Sequence, residues 1–360
     1  MARIPAQVAE IDVDWLNEVL AEETGTVTAC RAERFGQGVG ILGELARLHL
    51  DYAPGGDGPA TVIAKCQSPA PENQGLSAAM GFYLREVNFY RHLADQMDVP
   101  VPHAYHADCG PGGLPFILLL EDITGAYCPD QVAGITPDEA AKILDTVAML
   151  HAEFWERDSL YALDWLPPMN NPLYKGGQEL AHARWPEFLA KFGPRLPEGF
   201  VEVLATAVDK YTSMLDWWVA QGHATFTHTD CRAENYLFGG TRGPDAVTMI
   251  DFQLSTRHVG AWDLANLLGG SMDIETRRAH EDALVEHYHR RVCELGVTNY
   301  SLDRCWRDYR ASLLQQSVAA VIVSDLQGGN ERGDELLDHL WMRPILAAAD
   351  HGVGDLLGEF

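Results

Sequence analysis

The sequence predicts an α+β chain of two lobes: a small amino-terminal lobe with an antiparallel sheet plus a helix, and a larger, mainly helical carboxy-terminal lobe. Three observations lead there. Early segments alternate like strands, with "CRAERF", "ELARLHLDY" and "ATVIAKC" separated by glycine-rich turn material. From residue 136 onward apolar residues recur at helical spacing instead. A chain of 360 residues with 47% hydrophobic content can bury one large core or two smaller ones.

In order, the first lobe (residues 1–122) opens as a meander whose first turn is the glycine loop "GQGVGILG". Residues 77–95 follow helical spacing, with Phe82, Phe89, Leu93 and Met97 on one face. "PFILLLEDI" reads as an interior strand ending in Glu121 and Asp122, with the lobe boundary near residues 120–126. The second lobe (123–360) starts with "TPDEAAKILDTVAMLHAEFW". There Thr136 is placed as N-cap, Pro137 at the first helical position and Glu139 completes a capping box, ahead of a stripe of Ile143, Val147, Leu150 and Phe154. Further helices fill residues 178–221 and 276–349. Between them the stretch around "HTDCRAEN" and the later "AVTMIDFQ" form a short two-strand insert joined by "GGTRGPD".

Composition excludes several classes of function. A net charge of -26 with no Lys/Arg run disfavours nucleic-acid and membrane-surface binding. Seven scattered cysteines lack metal-ligand or disulfide spacing. The amino-terminal stretch has no hydrophobic signal core and the apolar runs are too short to span a bilayer, so a soluble, cytoplasmic protein is expected. No pattern sets an oligomeric state.

The chemistry concentrates at a few positions. Glu86 falls between Phe82 and Phe89 on the apolar helix face, where it either reaches water from the rim or pairs with a cation. Lys65, ending the strand "TVIAK", is the candidate partner. Gly36, Gly38 and Gly40 belong to a loop followed by a strand, which suits a phosphate flap or a flexible hairpin rather than a dinucleotide fingerprint, whose glycines open a helix. Between two near-strand segments, "HTDCRAEN" crowds Asp230, Arg232 and Asn235, and Asp251 follows at the end of its own strand. Phosphoryl transfer needs what this set offers: a carboxylate to orient an attacking hydroxyl, cations for phosphate oxygens and oxygen ligands for Mg²⁺.

The order of glycine loop, Lys65, Glu86, "FILLLEDI", HxDxxxxN at 228–235 and "IDFQ" at 250–253 resembles the protein-kinase-like fold. Within it the chain is most similar to the aminoglycoside phosphotransferase and choline kinase-like group, in particular its ecdysteroid-kinase-like branch. "LREVNFYRHL", "LHAEFW" and "GAWDLANLL" add to the likeness. The resemblance implies that Lys65 holds the α/β-phosphates of ATP and pairs with Glu86, and that backbone around Leu119, Leu120, Glu121 and Asp122 forms the adenine hinge. It implies Asp230 as catalytic carboxylate, Arg232 as a stabiliser of the transferred phosphoryl group, Asn235 and Asp251 as Mg²⁺ ligands, and Asp263 as a brace for the catalytic loop.

Two departures stand out: Thr229 where small-molecule kinases usually carry glycine, and Gln253 where the metal-binding triplet usually ends in glycine. The implied activity is transfer of the ATP γ-phosphate to a hydroxyl of a small molecule. A catalytically silent nucleotide-binding protein is the alternative from another class. For the acceptor, the tract of residues 154–218, with Trp155, Trp165, Trp185, Trp217 and Trp218, suggests an apolar cleft for a hydrophobic alcohol of steroid or terpenoid type. The acidic composition suits a cationic aminoglycoside or choline-like acceptor instead.

Overall fold

The structure, a computed structural model, describes residues 3–35 and 43–360, so Gly36, Gly38 and Gly40 lie outside the described residues. The chain forms two compact units, one of Met1–Tyr127 with Leu237–Leu254 and the other of Cys128–Tyr236 with Ser255–Phe360.

In the first unit, β1 (Val27–Phe35), β2 (Gly43–Tyr52), β3 (Thr61–Gln67), β4 (Ala104–Cys109) and β5 (Phe116–Glu121) build one antiparallel sheet in the order β1-β2-β3-β5-β4. Side-chain alternation assigns the faces. Ala46, Leu48 and Leu50 of β2, Val62, Ala64 and Cys66 of β3, and Ile117 and Leu119 of β5 share a core with Trp15, Leu16 and Leu20. Those three come from α1 (Val13–Thr24), which Asp12 caps by accepting from the Trp15 amide at 2.8 Å. Lys65, out of phase with Ala64 and Cys66, is thereby turned to the other face of the sheet.

The helix expected over 77–95 is instead two, α2 (Pro71–Met80) and α3 (Phe82–His92). Gly81, at φ 70°, ends one and precedes the other, a left-handed conformation that glycine adopts without the usual steric cost.

The second unit contains α4 (Pro137–Phe154), α5 (Asp158–Tyr161), α6 (Pro172–Lys175), α7 (Gly177–Phe192), α8 (Phe200–Asp209), α9 (Tyr211–Gln221), α10 (Ala261–Ser271), α11 (Ile274–Glu294), α12 (Leu302–Ile322) and α13 (Glu331–Asp350). The α4 capping box forms as read: the Glu139 amide donates to Thr136 Oγ1 at 3.2 Å and the Thr136 amide to Glu139 Oε2 at 2.8 Å. Its stripe of Ile143, Val147, Leu150 and Phe154 is buried. Among the described residues no helix is long and apolar enough to cross a membrane.

The two strands joined by "GGTRGPD" pair as expected, and the segments flanking "HTDCRAEN" take further partners. The strand before the motif, β7 (Ala224–Thr227), pairs antiparallel with β10 (Thr256–Val259). The strand after it, β8 (Tyr236–Gly239), lies between β9 (Val247–Met249) and β6 (Ala126–Tyr127) in a separate three-stranded sheet. "IDFQ", expected with the helical lobe, groups with the first unit. Phe252 stacks on Phe89 of α3 with ring centroids 3.5 Å apart, and the Met249 amide donates to the Pro100 carbonyl at 2.9 Å.

Candidate active site

Strand β3 delivers Lys65 and helix α3 delivers Glu86, and the two meet: Lys65 Nζ donates to Glu86 Oε1 at 2.8 Å. The same ammonium donates to Asp251 Oδ1 at 3.1 Å. Glu86 is 1% exposed and Lys65 8%, so the rim reading of Glu86 fails and the pair is buried. Burial works against the charge on Lys65, yet Asp251 and Glu86 outweigh it and hold the ammonium well above the usual lysine range. Burial also pushes the Glu86 carboxyl up, with the charge of Asp251 adding and Lys65 opposing. Among the described residues, Glu86 Oε2 and the Tyr90 hydroxyl are buried without a hydrogen-bond partner.

Asp251 adopts φ 69°, a left-handed conformation that Asp tolerates better than most residues. Gln253, in the place expected for glycine, donates from Nε2 to Asp251 Oδ2 at 3.3 Å. It thereby holds the carboxylate oxygen that Lys65 does not.

In the second unit Asp263 of α10 is fully buried and binds the backbone of the loop that follows β7. Its Oδ2 accepts from the His228 amide at 2.7 Å and its Oδ1 from the Thr229 amide at 2.8 Å. His151 of α4 lies 3.1 Å from Oδ2 through Nε2 and 2.7 Å from the Tyr288 hydroxyl through Nδ1. A buried carboxylate with two amide donors and an imidazole is a satisfied one. Trp262 Nε1 donates to the Thr229 carbonyl at 3.1 Å. Thr229 itself sits at φ 70°, a strained conformation for a β-branched residue, costing on the order of 1–3 kcal/mol.

Immediately beyond, Asp230 and Asn235 are in contact. Asn235 Nδ2 donates to the Asp230 carbonyl at 2.7 Å and to its Oδ2 at 2.9 Å. Arg232 Nε lies 3.5 Å from Asp230 Oδ2, while its NH1 binds Glu234. Glu234 also meets Arg332 of α13 at 3.3 Å, and Arg332 reaches Asp130 at 3.0 Å. Arg232 is thus held by carboxylates of its own loop.

Each of the two residues expected to bind Mg²⁺ keeps an oxygen of suitable chemistry within its own unit, Asp251 in the first and Asn235 in the second. Asp251, with its side chain 24% exposed, offers carboxylate oxygen. The Asn235 amide nitrogen is occupied by Asp230, so Oδ1 is the side-chain atom that could serve a metal. Mg²⁺ takes few protein oxygens and completes its shell with phosphate and water. Among the described residues no group of three or more His, Cys, Asp or Glu is placed to hold a metal.

The four residues expected at the adenine hinge differ in backbone pairing. Leu119 and Leu120 lie inside β5 and are paired on both sides, with β3 and β4. A base could meet open backbone only at the strand's end. There the side chains are committed: Asp122 accepts from Arg47 Nε at 2.6 Å and Glu121 from Arg242 Nε at 2.9 Å.

The aromatic tract does not gather into one cleft lining. Trp155 packs on Tyr300 at 4.7 Å, Trp218 on His258 at 5.2 Å, Trp185 on Phe188 at 5.9 Å and Trp217 on Phe360 at 5.0 Å. Trp155 and Trp218 are buried. Trp165 meets Phe226 at 6.3 Å and is half-buried.

Sequence reasoning missed His151 and the threonine hydroxyls around Thr229. A signal for His151 was present, since it lies on the buried face of α4 between Val147 and Phe154.

Residues 164–296, which include Asp230, Asn235, Asp251 and Asp263, match the model of the Ecdysteroid kinase-like family. No curated protein matches the chain. Among solved structures, a protein from Ralstonia eutropha JMP134 provisionally assigned as an aminoglycoside phosphotransferase superposes with a TM-score of 0.55 at 15% identity, over 95% of this chain and 96% of that one. Plasmodium vivax ethanolamine kinase does so at 0.53 and 13% identity, over 93% and 86% of the two chains. The GDP complex of a variant aminoglycoside 2'-phosphotransferase-IIIa gives 0.54 and 13% identity, over 95% and 100%. At such identities the likeness establishes the fold. The chain therefore has the protein-kinase-like fold of the small-molecule kinases, and over residues 164–296 it carries the pattern of the ecdysteroid kinase-like family.

Proposed function

We propose that the protein is a kinase that transfers the γ-phosphate of ATP to a hydroxyl group of a small molecule. The observation that carries the reading is Lys65 held by both Glu86 and Asp251, an ammonium kept charged and aimed by two carboxylates. Such a group serves the α/β-phosphates, and the GDP bound by a neighbour in fold supports a nucleotide as its ligand. Asp230 is the proposed acceptor of the hydroxyl proton, with Asn235 restraining its carboxylate. Asp251 and Asn235 are the proposed Mg²⁺ ligands, and the ion when bound supplies charge neutralisation for the phosphate oxygens. Arg232, already facing Asp230, is the proposed cation for the transferred group. The seven cysteines, all free, support a cytoplasmic location.

For the acceptor, the ecdysteroid kinase-like match supports a hydroxylated hydrophobic molecule of steroid or terpenoid type. The internally packed tryptophans give that reading no cleft of the kind first expected, so it rests on the match. The test is a panel of sterols, terpenoid alcohols, choline, ethanolamine and kanamycin, each incubated with Mg·ATP at low and high salt and followed by mass spectrometry. Phosphate gain on a sterol or terpenoid alcohol is expected, with little salt dependence. Salt-sensitive turnover of kanamycin or choline alone would replace the apolar reading by the cationic one. Absence of any transfer with Mg·ATP bound would favour the silent nucleotide-binding alternative.

A further inference from the structure

Three threonine hydroxyls close on one another next to the catalytic loop. Thr229 Oγ1 lies 2.8 Å from Thr256 Oγ1 and 3.2 Å from Thr227 Oγ1, and the last two are 3.0 Å apart. Thr227 Oγ1 also donates to the Thr256 carbonyl at 2.9 Å, which uses its single proton. Its lone pairs are then left to accept, so Thr256 or Thr229 must donate to it and the three hydroxyls form one directed set. Thr227 and Thr256 are fully buried, and they face each other across the β7–β10 ladder.

Thr229 directly precedes Asp230 and is held at every polar atom: amide on Asp263, carbonyl on Trp262 and hydroxyl on the threonine pair. Its left-handed φ of 70° is not one a threonine keeps unaided. Glycine would adopt this conformation freely but would also leave it freely, and the direction of the next residue would be less defined.

We infer that Thr229 is a positioning residue for the proposed phosphotransfer: its hydroxyl, locked onto Thr256 and Thr227, fixes the strained backbone turn that aims the Asp230 carboxylate. The inference rests on the kinase reading above. Thr229→Val keeps the branching and removes only the hydroxyl, whereas Thr229→Ser keeps the hydroxyl. Thr256→Val removes the partner from a different strand and serves if Thr229→Val does not fold.

The experiment measures kcat and KM for Mg·ATP, on the acceptor found by the panel, for these variants alone and in an Asp230→Asn background. Thr229→Val and Thr256→Val should each lower kcat roughly tenfold, with KM for Mg·ATP nearly unchanged, since misplacement of a reacting group costs rate rather than nucleotide binding. Thr229→Ser should recover most of the rate. In the Asp230→Asn background the Thr229→Val change should have no further effect on kcat. A wild-type kcat in both valine variants, or an equal loss with and without Asp230, overturns the positioning role while leaving the kinase reading in place. If the wild-type protein transfers phosphate to no acceptor and releases none to water, the kinase reading falls and this inference falls with it.

Discussion

At Lys65 one ammonium answers two carboxylates, Glu86 and Asp251. Removing Lys65 strands Glu86 in a site where it is 1% exposed, and breaking a buried pair costs about 3–5 kcal/mol. Removing Glu86 strands the ammonium less completely, because Asp251 remains. Lys65→Ala should therefore weaken Mg·ATP binding more than Glu86→Ala, and the double variant should lose clearly less than the sum of the two. Calorimetric titration of the three proteins with Mg·ATP tests this, and simple additivity would show that the pair does not act as a unit. Glu86 was legible in the sequence because a carboxylate interrupting an apolar helix face demands a partner. The role of Asp251 as the second partner of Lys65 was not, since the two are separated by 186 positions. Nor could residue type alone announce the left-handed turn at Thr229.

Among the elements, the β7–β10 ribbon carries a titratable group of its own. His258 of β10 packs against Trp218 and Trp262, at 5.2 Å and 5.4 Å, and burial, opposed by Asp263 and Gln315, lowers its pKa to about 3. An unfolded histidine titrates near pH 6.5. The folded value is depressed, so the neutral ring contributes stability that is fully present above about pH 6.5 and is lost as pH falls toward about 3. Within that window the unfolded chain binds one more proton than the folded one at this site, worth at most about 1.4 kcal/mol per pH unit. Denaturant unfolding at several pH values between 7.5 and 5 should show a shallower acid loss for His258→Gln than for wild type, and identical slopes would contradict the assignment. The ribbon was invisible to sequence reading for a physical reason: β7 finds its partner beyond Asp251, not in the nearer segment of similar pattern. Helix α4 was legible to its cap because Thr136, Pro137 and Glu139 signal locally. Helix α1 carries comparable signals in Asp12, Trp15, Leu16 and Leu20, and was passed over in a stretch that otherwise reads as strand.

For the whole molecule, the chain divides its chemistry between two compact units that are not continuous in sequence. The cluster of Lys65, Glu86 and Asp251 belongs to the first, and the loop of Asp230, Arg232 and Asn235 with its Asp263 brace to the second. The order of motifs along the sequence made the fold legible, because each motif places its own residue type on a strand end, a helix face or a loop. The membership of "IDFQ" was not legible, because the stacking of Phe252 on Phe89 and the pairing of Asp251 with Lys65 join segments far apart in the chain. The proposed roles differ residue by residue: loss of Asp251 should abolish binding of the metal–nucleotide complex, whereas loss of the Asp230 carboxylate should leave that binding intact. The most direct measurement is therefore a paired one on Asp230→Asn, Mg·ATP affinity by titration and phosphate transfer to the identified acceptor. Wild-type affinity with turnover reduced by about 10²–10⁴-fold is the predicted result, and wild-type turnover would contradict the account.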